Sequence, residues 1–461
     1  MQVSILKGAF FDTAGNIRPS LPVNMWPVIG ESGFSKGYLR TAPGLTRVAA
    51  GPGQDRGALV WEGVHYRVMG SKLCSVAGNA VTQLADVGND AKPAKLDFGF
   101  GFLVIYSAGN VYYWNGAALT QVVDPNIGNG PPIDVCWIDG YYMLTDGVSL
   151  YVTNLADPTQ LLPNAYEQPG EDATPVVAVM RIRDEVYAVT TNSIQNFQDV
   201  GGLNFPFQAN PAGLIPKGAV GTRAVCYYLD TLAFVGGARN EAPSVYLAGF
   251  GQAVSISTPE VDRQLAALTT DQLAAIEVEG LTEEAEQRLL VHLPTGTLVY
   301  HRQASLVAEQ PIWTWLAAGA AMNQPYPARH FAAVGGVFYG GGVGGVLGQL
   351  DETTNSQLGE VTTCQWDTLF LYNGGKGGIL KSAELVGSAG VGTALMSWTR
   401  DGKTWSAQQS IAIGSAGPVP TRMQWRPKTR MWNFMGLRFQ LPAAVVAAFG
   451  ALEVDIEPLN A

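Results

Sequence analysis

Residues Leu96–Val123, LDFGFGFLVIYSAGNVYYWNGAALTQVV, read as four short strands separated by tight turns. Leu96–Phe100 alternates and stops at Gly101. Phe102–Tyr106 is an apolar run closed by Ala108-Gly109-Asn110, Val111–Trp114 is closed by Asn115-Gly116, and Leu119–Val123 follows. Asn-Gly and Gly-Asn supply positive φ in tight hairpins without a Cβ penalty. Runs of Val, Ile, Tyr and Phe this short are antiparallel strands rather than helices. A meander of four such strands cannot bury both faces alone, so it needs neighbours of its own kind.

The same rhythm extends in both directions. One unit earlier lie Val64–Val68, Leu73–Val76 and Val81–Leu84; one unit later lie Ile133–Ile138, Tyr141–Thr145 and Val148–Val152. Further units follow at Val176–Val189, Ala224–Leu247, Arg288–Leu316 and His330–Leu350. The period is roughly 40 residues, the spacing of propeller blades rather than of helical solenoids. About seven units fit between residues 55 and 351, which predicts an all-β, seven-bladed propeller, with two stacked sandwiches as the alternative. No WD or Kelch signature is present.

Three other regions flank or interrupt the repeat. Residues 1–54 are irregular, with Pro19, Pro22, Pro27, Pro43 and Pro52, and read as an extended arm lying along the propeller or along a neighbouring subunit. Thr258-Pro259-Glu260 is a helix start, with a capping hydroxyl, a proline at the first helical position and an acid facing the dipole. It opens a helical insertion at about 258–276, in which Val261, Leu265 and Leu268 share a face. After Asp351 the rhythm stops, and longer alternating strands over 352–461 predict a separate β-sandwich. Within it, Trp398–Trp405 reads as a hairpin with Asp401-Gly402 at the tip and tryptophans on both strands.

Composition bounds the function. The net charge is −10, and only 14% of residues are charged against a usual quarter, which speaks against a nucleic-acid-binding surface. Cys74, Cys136, Cys226 and Cys364 are far apart, as buried free thiols would be. Neither a signal peptide nor an apolar run of membrane-spanning length is expected. Gly340–Gly345 matches G-x-G-x-x-G but opens no helix, and Gly402-Lys403-Thr404 lacks the first glycine of a phosphate loop. His65, His292, His301 and His330 are scattered, with His292 read as a satisfied core residue, and Glu283-Glu284-Ala285-Glu286 reads as a solvated loop. Thr399–Trp405 resembles the Asp-box of sialidases, but its aspartate and glycine are adjacent. No catalytic residue, cofactor or metal site emerges.

Several blocks, in order along the chain, resemble the tail hub proteins of short-tailed bacteriophages, also called packaged-DNA stabilisation proteins. They are Leu21–Met25 (LPVNM), Gly37–Gly44 (GYLRTAPG), Ala242–Tyr246, Gly249-Phe250-Gly251-Gln252 through Ile256-Ser257, and Leu290–Pro294 with Leu298–Tyr300. The resemblance implies a virion structural protein of the phage tail, assembled in the host cytoplasm. It implies a homo-oligomer, a hexameric ring below the portal and its adaptor protein, with a tail needle at the far end and the tailspike as a further neighbour. Packaged DNA would pass through the lumen without specific binding, since acidic walls repel phosphate. Ring closure needs two unlike patches per subunit. The candidates are Leu21, Met25, Trp26, Tyr38, Leu39 and Arg40 in the arm and Val261, Leu265 and Leu268 in the insertion. A glycan- or receptor-binding tail propeller and a glycan hydrolase are the competing readings.

Overall fold

The computed structural model describes residues 1–30, 35–123, 130–155, 157–170, 174–249, 251–283, 286–414 and 422–459. Phe250, Glu284 and Ala285, singled out above, lie outside the described residues. Seven antiparallel blades surround one axis. The first is Asp55–Trp61, Val64–Met69, Lys72–Ala77 and Ala80–Asp86; the second is Lys95–Gly99, Phe102–Ser107, Asn110–Trp114 and Leu119–Gln121. The third runs from Asp134–Ile138 to Asp157–Glu167 and the fourth from Val176–Ile182 to Phe207–Ile215. The fifth contains Gly218–Ala219, Val225–Tyr228, Thr231–Gly237, Ser244–Gly249 and Gln252–Ser255; the sixth runs from Glu277–Glu283 to Gln324–Pro325. The innermost strand of every blade touches those of both neighbours, so the ring is closed.

The turns that mark the rhythm are built as the dipeptides require. Ala108-Gly109 and Asp139-Gly140 hold positive φ at both positions (51° and 76°, 44° and 93°), which matches the twist of the strands they join. Blades then stack through apolar faces. Val104, Val111 and Tyr113 of the second meet Val135, Tyr142 and Leu144 of the third. Ile138 and Val152 of the third meet Val179, Val186 and Phe197 of the fourth. Each sheet thus buries both faces, which a lone meander cannot do.

The arm is not a separate extended segment. Gly44–Ala50 is the outer strand of the seventh blade, antiparallel to Val346–Asp351 from Gly44 opposite Asp351 to Ala50 opposite Val346. Chain start and repeat end therefore close one blade together. Met25–Ile29 and Gly37–Thr41 join the sandwich, in a sheet ordered with Ala447–Glu457, Gly378–Ala389 and Met423–Trp425. The facing sheet is Cys364–Asp367, Phe434–Leu441, Gly392–Thr399 and Gln409–Ile413. Between them Trp366 stacks on Phe439 and Phe449, with centroids 5.5 and 5.2 Å away.

The Trp398–Trp405 reading needs correction. Gly392–Thr399 ends one residue after Trp398, and the segment after it is a loop held by Asp401, whose Oδ1 accepts from the amides of Lys403 and Thr404 at 2.9 and 2.8 Å. Trp405 is on no strand; it lies under the guanidinium of Arg438, 4.0 Å from the ring centroid. The self-bonding of an Asx turn outcompetes strand pairing here.

Candidate assembly surfaces

The LPVNM block is a weld between the domains. Val23 exchanges backbone hydrogen bonds with Gln365 of the sandwich at 2.8 and 3.0 Å, while Pro22 O accepts from Trp315 N of the sixth blade at 2.8 Å. Asn24 follows at φ 54°, 3% exposed, a conformation its short amide tolerates. Its Nδ2 donates to Ala317 O (3.0 Å) and Thr363 O (2.9 Å), and its Oδ1 accepts from Ala317 N (3.0 Å). One side chain thus satisfies polar groups on both domains. In the second block, a Cβ on Gly44 would lie 2.5 Å from Ser356 O, so only glycine fits. Arg40 pairs with Glu352 at 2.6 Å.

Helix α1 (Pro259–Ala266) is capped by Thr258, and α2 (Thr270–Ala274) by a complete capping box at Thr269 and Gln272. Val261 and Leu265 pack with Ala224, Val245, Ile276 and Leu289, in a cluster that holds together the fifth and sixth blades. A third helix, α3 (Arg302–Ala308), was not predicted; it leaves a strand directly at His301, with no side-chain cap to announce it.

These placements correct the candidate interface. Met25, Leu39, Val261 and Leu265 are 0% exposed and Trp26 is 1% exposed, all inside this chain. Met25 and Leu39 belong to the sandwich core, and Trp26 lies beneath the buried Arg288 guanidinium at 4.1 Å. Met25 and Leu39 found partners in the sandwich, and Trp26, Val261 and Leu265 found theirs between propeller blades. Tyr38 and Arg40 keep partial exposure, as do Leu21 and Leu268, which pack on the fifth- and sixth-blade cluster.

Chemistry-bearing residues gather where no motif pointed. The inner strands open on, or just after, Asp55, Lys95, Asp134, Arg223, Glu277 and Arg329, with Val176 in the fourth blade, so charge signs alternate around the axis. Asp134 accepts from Lys95 Nζ, Arg223 Nη1 and Val179 N, each at 2.9 Å, and so ties four blades. Asp55 accepts from Arg67 Nε at 2.5 Å, and its other oxygen lies 2.7 Å from Nδ1 of His330. The other ring nitrogen of His330 lies 2.7 Å from Glu277, which also pairs with Arg329. Burial alone would lower the His330 pKa, but the Glu277 and Asp55 carboxylates overcome it and hold the ring at about 10. Burial would raise Asp55 and Glu277, yet Arg67 and His330 hold the first, and His330 and Arg329 the second, below the usual carboxylate range. His65 stays neutral, its pKa pushed to about 4 by burial and then by Arg67.

Of two other readings, the first stands and the second changes. His292 is buried and bonded to Thr297 (2.9 Å) and Glu279 (2.6 Å), a satisfied core residue. Glu283 is not merely solvated: it pairs at 2.9 Å with Arg288, a fully buried guanidinium. All four thiols are free, and burial pushes Cys74 up to about 11 and Cys136 and Cys364 to about 12, so they remain protonated. Among the described residues no group of His, Cys, Asp and Glu could hold a metal ion.

The sequence matches two family descriptions in the same order as the two folded units. Residues 1–355 match "Bacteriophage P22 Gp10, beta-propeller", and residues 363–457 match "Bacteriophage P22 Gp10, beta-sandwich". The chain belongs to the P22 Gp10 family. The tail hub protein gp10 of Salmonella phage P22 is 26% identical over 462 residues, covering 95% of each chain. Solved structures are only loosely similar. The computationally designed Ika8 protein has a TM-score of 0.38 at 10% identity, over 66% of this chain and 99% of its own. The extracellular domain of BT4673 from B. thetaiotaomicron has 0.45 at 10%, over 67% of this chain and 40% of its own.

For a member of the P22 Gp10 family, the surfaces left free matter more than those already covered. One apolar projection sits on the second and third blades, where Phe100 and Leu155 are 53% and 62% exposed. A groove of about 450 Å³ runs between α3 and the arm on the far side of the ring, lined by Ile5, Leu6, Pro27, Ile29, Val307 and Ile312 among others.

Proposed function

We propose that this chain is a tail hub: a structural protein of a phage tail that forms a ring, extends the channel for the packaged genome and carries no chemistry of its own. The observation that carries this reading is the collinear match of both domains to the P22 tail hub protein along 95% of the chain. The physical properties agree. Titratable side chains at the axis bond one another rather than converge on a cleft, and the thiols are protonated. A net charge of −10 leaves walls along which phosphate slides. Genome retention then falls to ring closure and to a needle at the far end, with the adaptor of the portal on the near side. The ring is a hexamer in this reading.

Electron microscopy and mass spectrometry of purified tails test it. The expected result is a sixfold ring of 49.0-kDa chains between the portal end and the distal needle. Particles that lack the chain while it accumulates free in the lysate would overturn the assignment.

A further inference from the structure

Phe100 is an unusual turn residue. It holds φ +46° ahead of Gly101 at +73°, in a two-residue turn that elsewhere would take Asn-Gly. A bulky side chain at positive φ is strained, and such strain persists where something requires that side chain. Its surroundings fix it in place. The ring stacks on Trp137 with centroids 5.3 Å apart and planes 24° from parallel. The Trp137 indole lies flat over Gly99, where a Cβ would fall 1.5 Å from Nε1, and Leu155 and Phe100 close over Gly140 in the same way. Phe100 and Leu155, backed by Trp137, thus form a rigid apolar knob.

We propose that this knob seats in the groove beside α3 on a second copy of the chain, joining copies head to tail. The proposal rests on the tail-hub reading and gives it its contact. Size fits: about 450 Å³ is three times the ~150 Å³ that encloses one benzene ring. Charge fits as well. Asp139 borders the knob next to Gly140, and Asp199 and Asp184 of the fourth blade lie close enough to it that burial and then their repulsion raise its pKa, with Arg181 partly offsetting them. Lys7 and Lys36 rim the groove and have no acidic partner among the described residues. Leu306 and Val307 of α3, 58% and 55% exposed, supply apolar surface that none of the described residues covers. The patches are unlike and lie on different blades, the second and third against the sixth. That is the arrangement a heterologous, ring-forming contact needs, whereas an isologous dimer would use one patch twice.

Cysteine cross-linking in assembled tails decides it. A chain carrying both Leu155→Cys and Leu306→Cys, oxidised within purified particles, should run as a ladder of covalent oligomers on a non-reducing gel. Either single variant should stay at 49.0 kDa. A second variant guards against trivial unfolding. Phe100→Asn suits the positive φ, so the isolated chain should melt at the same temperature or higher, yet enter tails about tenfold less efficiently. Absence of the chain from tails would remove the hub reading itself. Presence without a ladder, a Leu155→Cys link to itself or to another tail protein, or normal entry of Phe100→Asn would each remove this contact and leave the hub.

Discussion

Asp55 and Trp366 are equally lost to solvent, one at the axis of the propeller and the other between the sheets of the sandwich. Asp55 is held by a guanidinium and an imidazole in directional bonds; Trp366 is held by two phenyl rings. The difference follows from shape. Two facing sheets interdigitate, so large side chains fill the gap at native density. Seven strands converging on a line leave a narrow space where their first residues meet, and alternating charges close it with bonds whose partners lie in different blades. Apolar packing joins neighbouring blade faces, while the charges at the axis fix which strands meet. A buried ion pair adds little net stability but is costly to break, so the axis should be the more brittle of the two cores.

The largest effect should come from cutting the segment that serves both. Deleting residues 1–43 removes Met25–Ile29 and Gly37–Thr41 from a sandwich sheet and Asn24 from the domain junction. Loss of a cooperative melt and aggregation are expected. A soluble truncated monomer with an intact near-ultraviolet dichroism spectrum would show that the arm is dispensable for folding. The sequence alone favours that outcome, and the structure reverses it.

Next comes Asp55→Ala. It leaves Arg67 buried and unpaired and frees one side of His330, a loss of about 3–5 kcal/mol. Hydrogen exchange should accelerate in Asp55–Met69, Arg329–Val334 and Gly44–Ala50 before it does in Gly378–Ala389. Uniform acceleration would show that the cores do not differ. The pH dependence should separate them too. Carboxylates held below their usual range, such as Asp55 and Glu277, stabilise the fold above pH about 4 and stop doing so as the pH falls through their folded values. His330, held at about 10, stabilises the fold below pH about 6.5 and loses that contribution as the pH rises towards 10. Exchange at the axis should therefore be slowest between roughly pH 4.5 and 6.5 and quicken on both sides, while the Trp366 cluster, which titrates nowhere, should follow only the global melt.

Much of the propeller was legible because its signals are local: left-handed dipeptides and apolar runs between them. What was missed is non-local or featureless. Gly44–Ala50 pairs with Val346–Asp351 at the far end of the propeller, and no local window spans that distance. Asp157–Glu167 is an outer strand wet on most of its length, so it shows no alternation. Five of the nine candidate interface residues are buried in this chain for a physical reason. Trp26, Leu39 and Val261 lack partners within one repeat; Leu39 finds them in the sandwich core, and Trp26 and Val261 find them between blades of the propeller. The charged axis was visible in part, as a charge ahead of successive apolar runs. Taken singly, though, each of those charges is an ordinary solvated strand end.

Asn24→Gly is a smaller test, aimed at the junction. Glycine keeps the positive φ, so only the three side-chain bonds are lost, and about 1–3 kcal/mol should go with Thr363 O and the Ala317 amide left without that partner, while Ala317 O keeps its bond from Gln357 Nε2. Differential scanning calorimetry should show the two domains beginning to melt apart. A single unchanged transition would place the coupling elsewhere, for example in the Val23 backbone pairs.

The smallest effect should come from an ion pair with the same task in a different place. Arg183, in the first turn of the fourth blade, bonds Asp230, in the first turn of the fifth, and so joins neighbouring blades just as Asp134 does. Its side chains are 61% and 42% exposed, whereas Asp134 is fully buried. Water and salt screen the outer pair in both folded and unfolded chains, so breaking it returns both charges to solvent rather than stranding one. Asp230→Asn should therefore leave the melting temperature where it was, at low salt and at high. Asp134→Asn should lower it, because Lys95 and Arg223 would remain together near the axis with no anion between them. If the two variants lost equal stability, burial would not be what separates the axis from the rim, and the contrast between the two cores would fall with it.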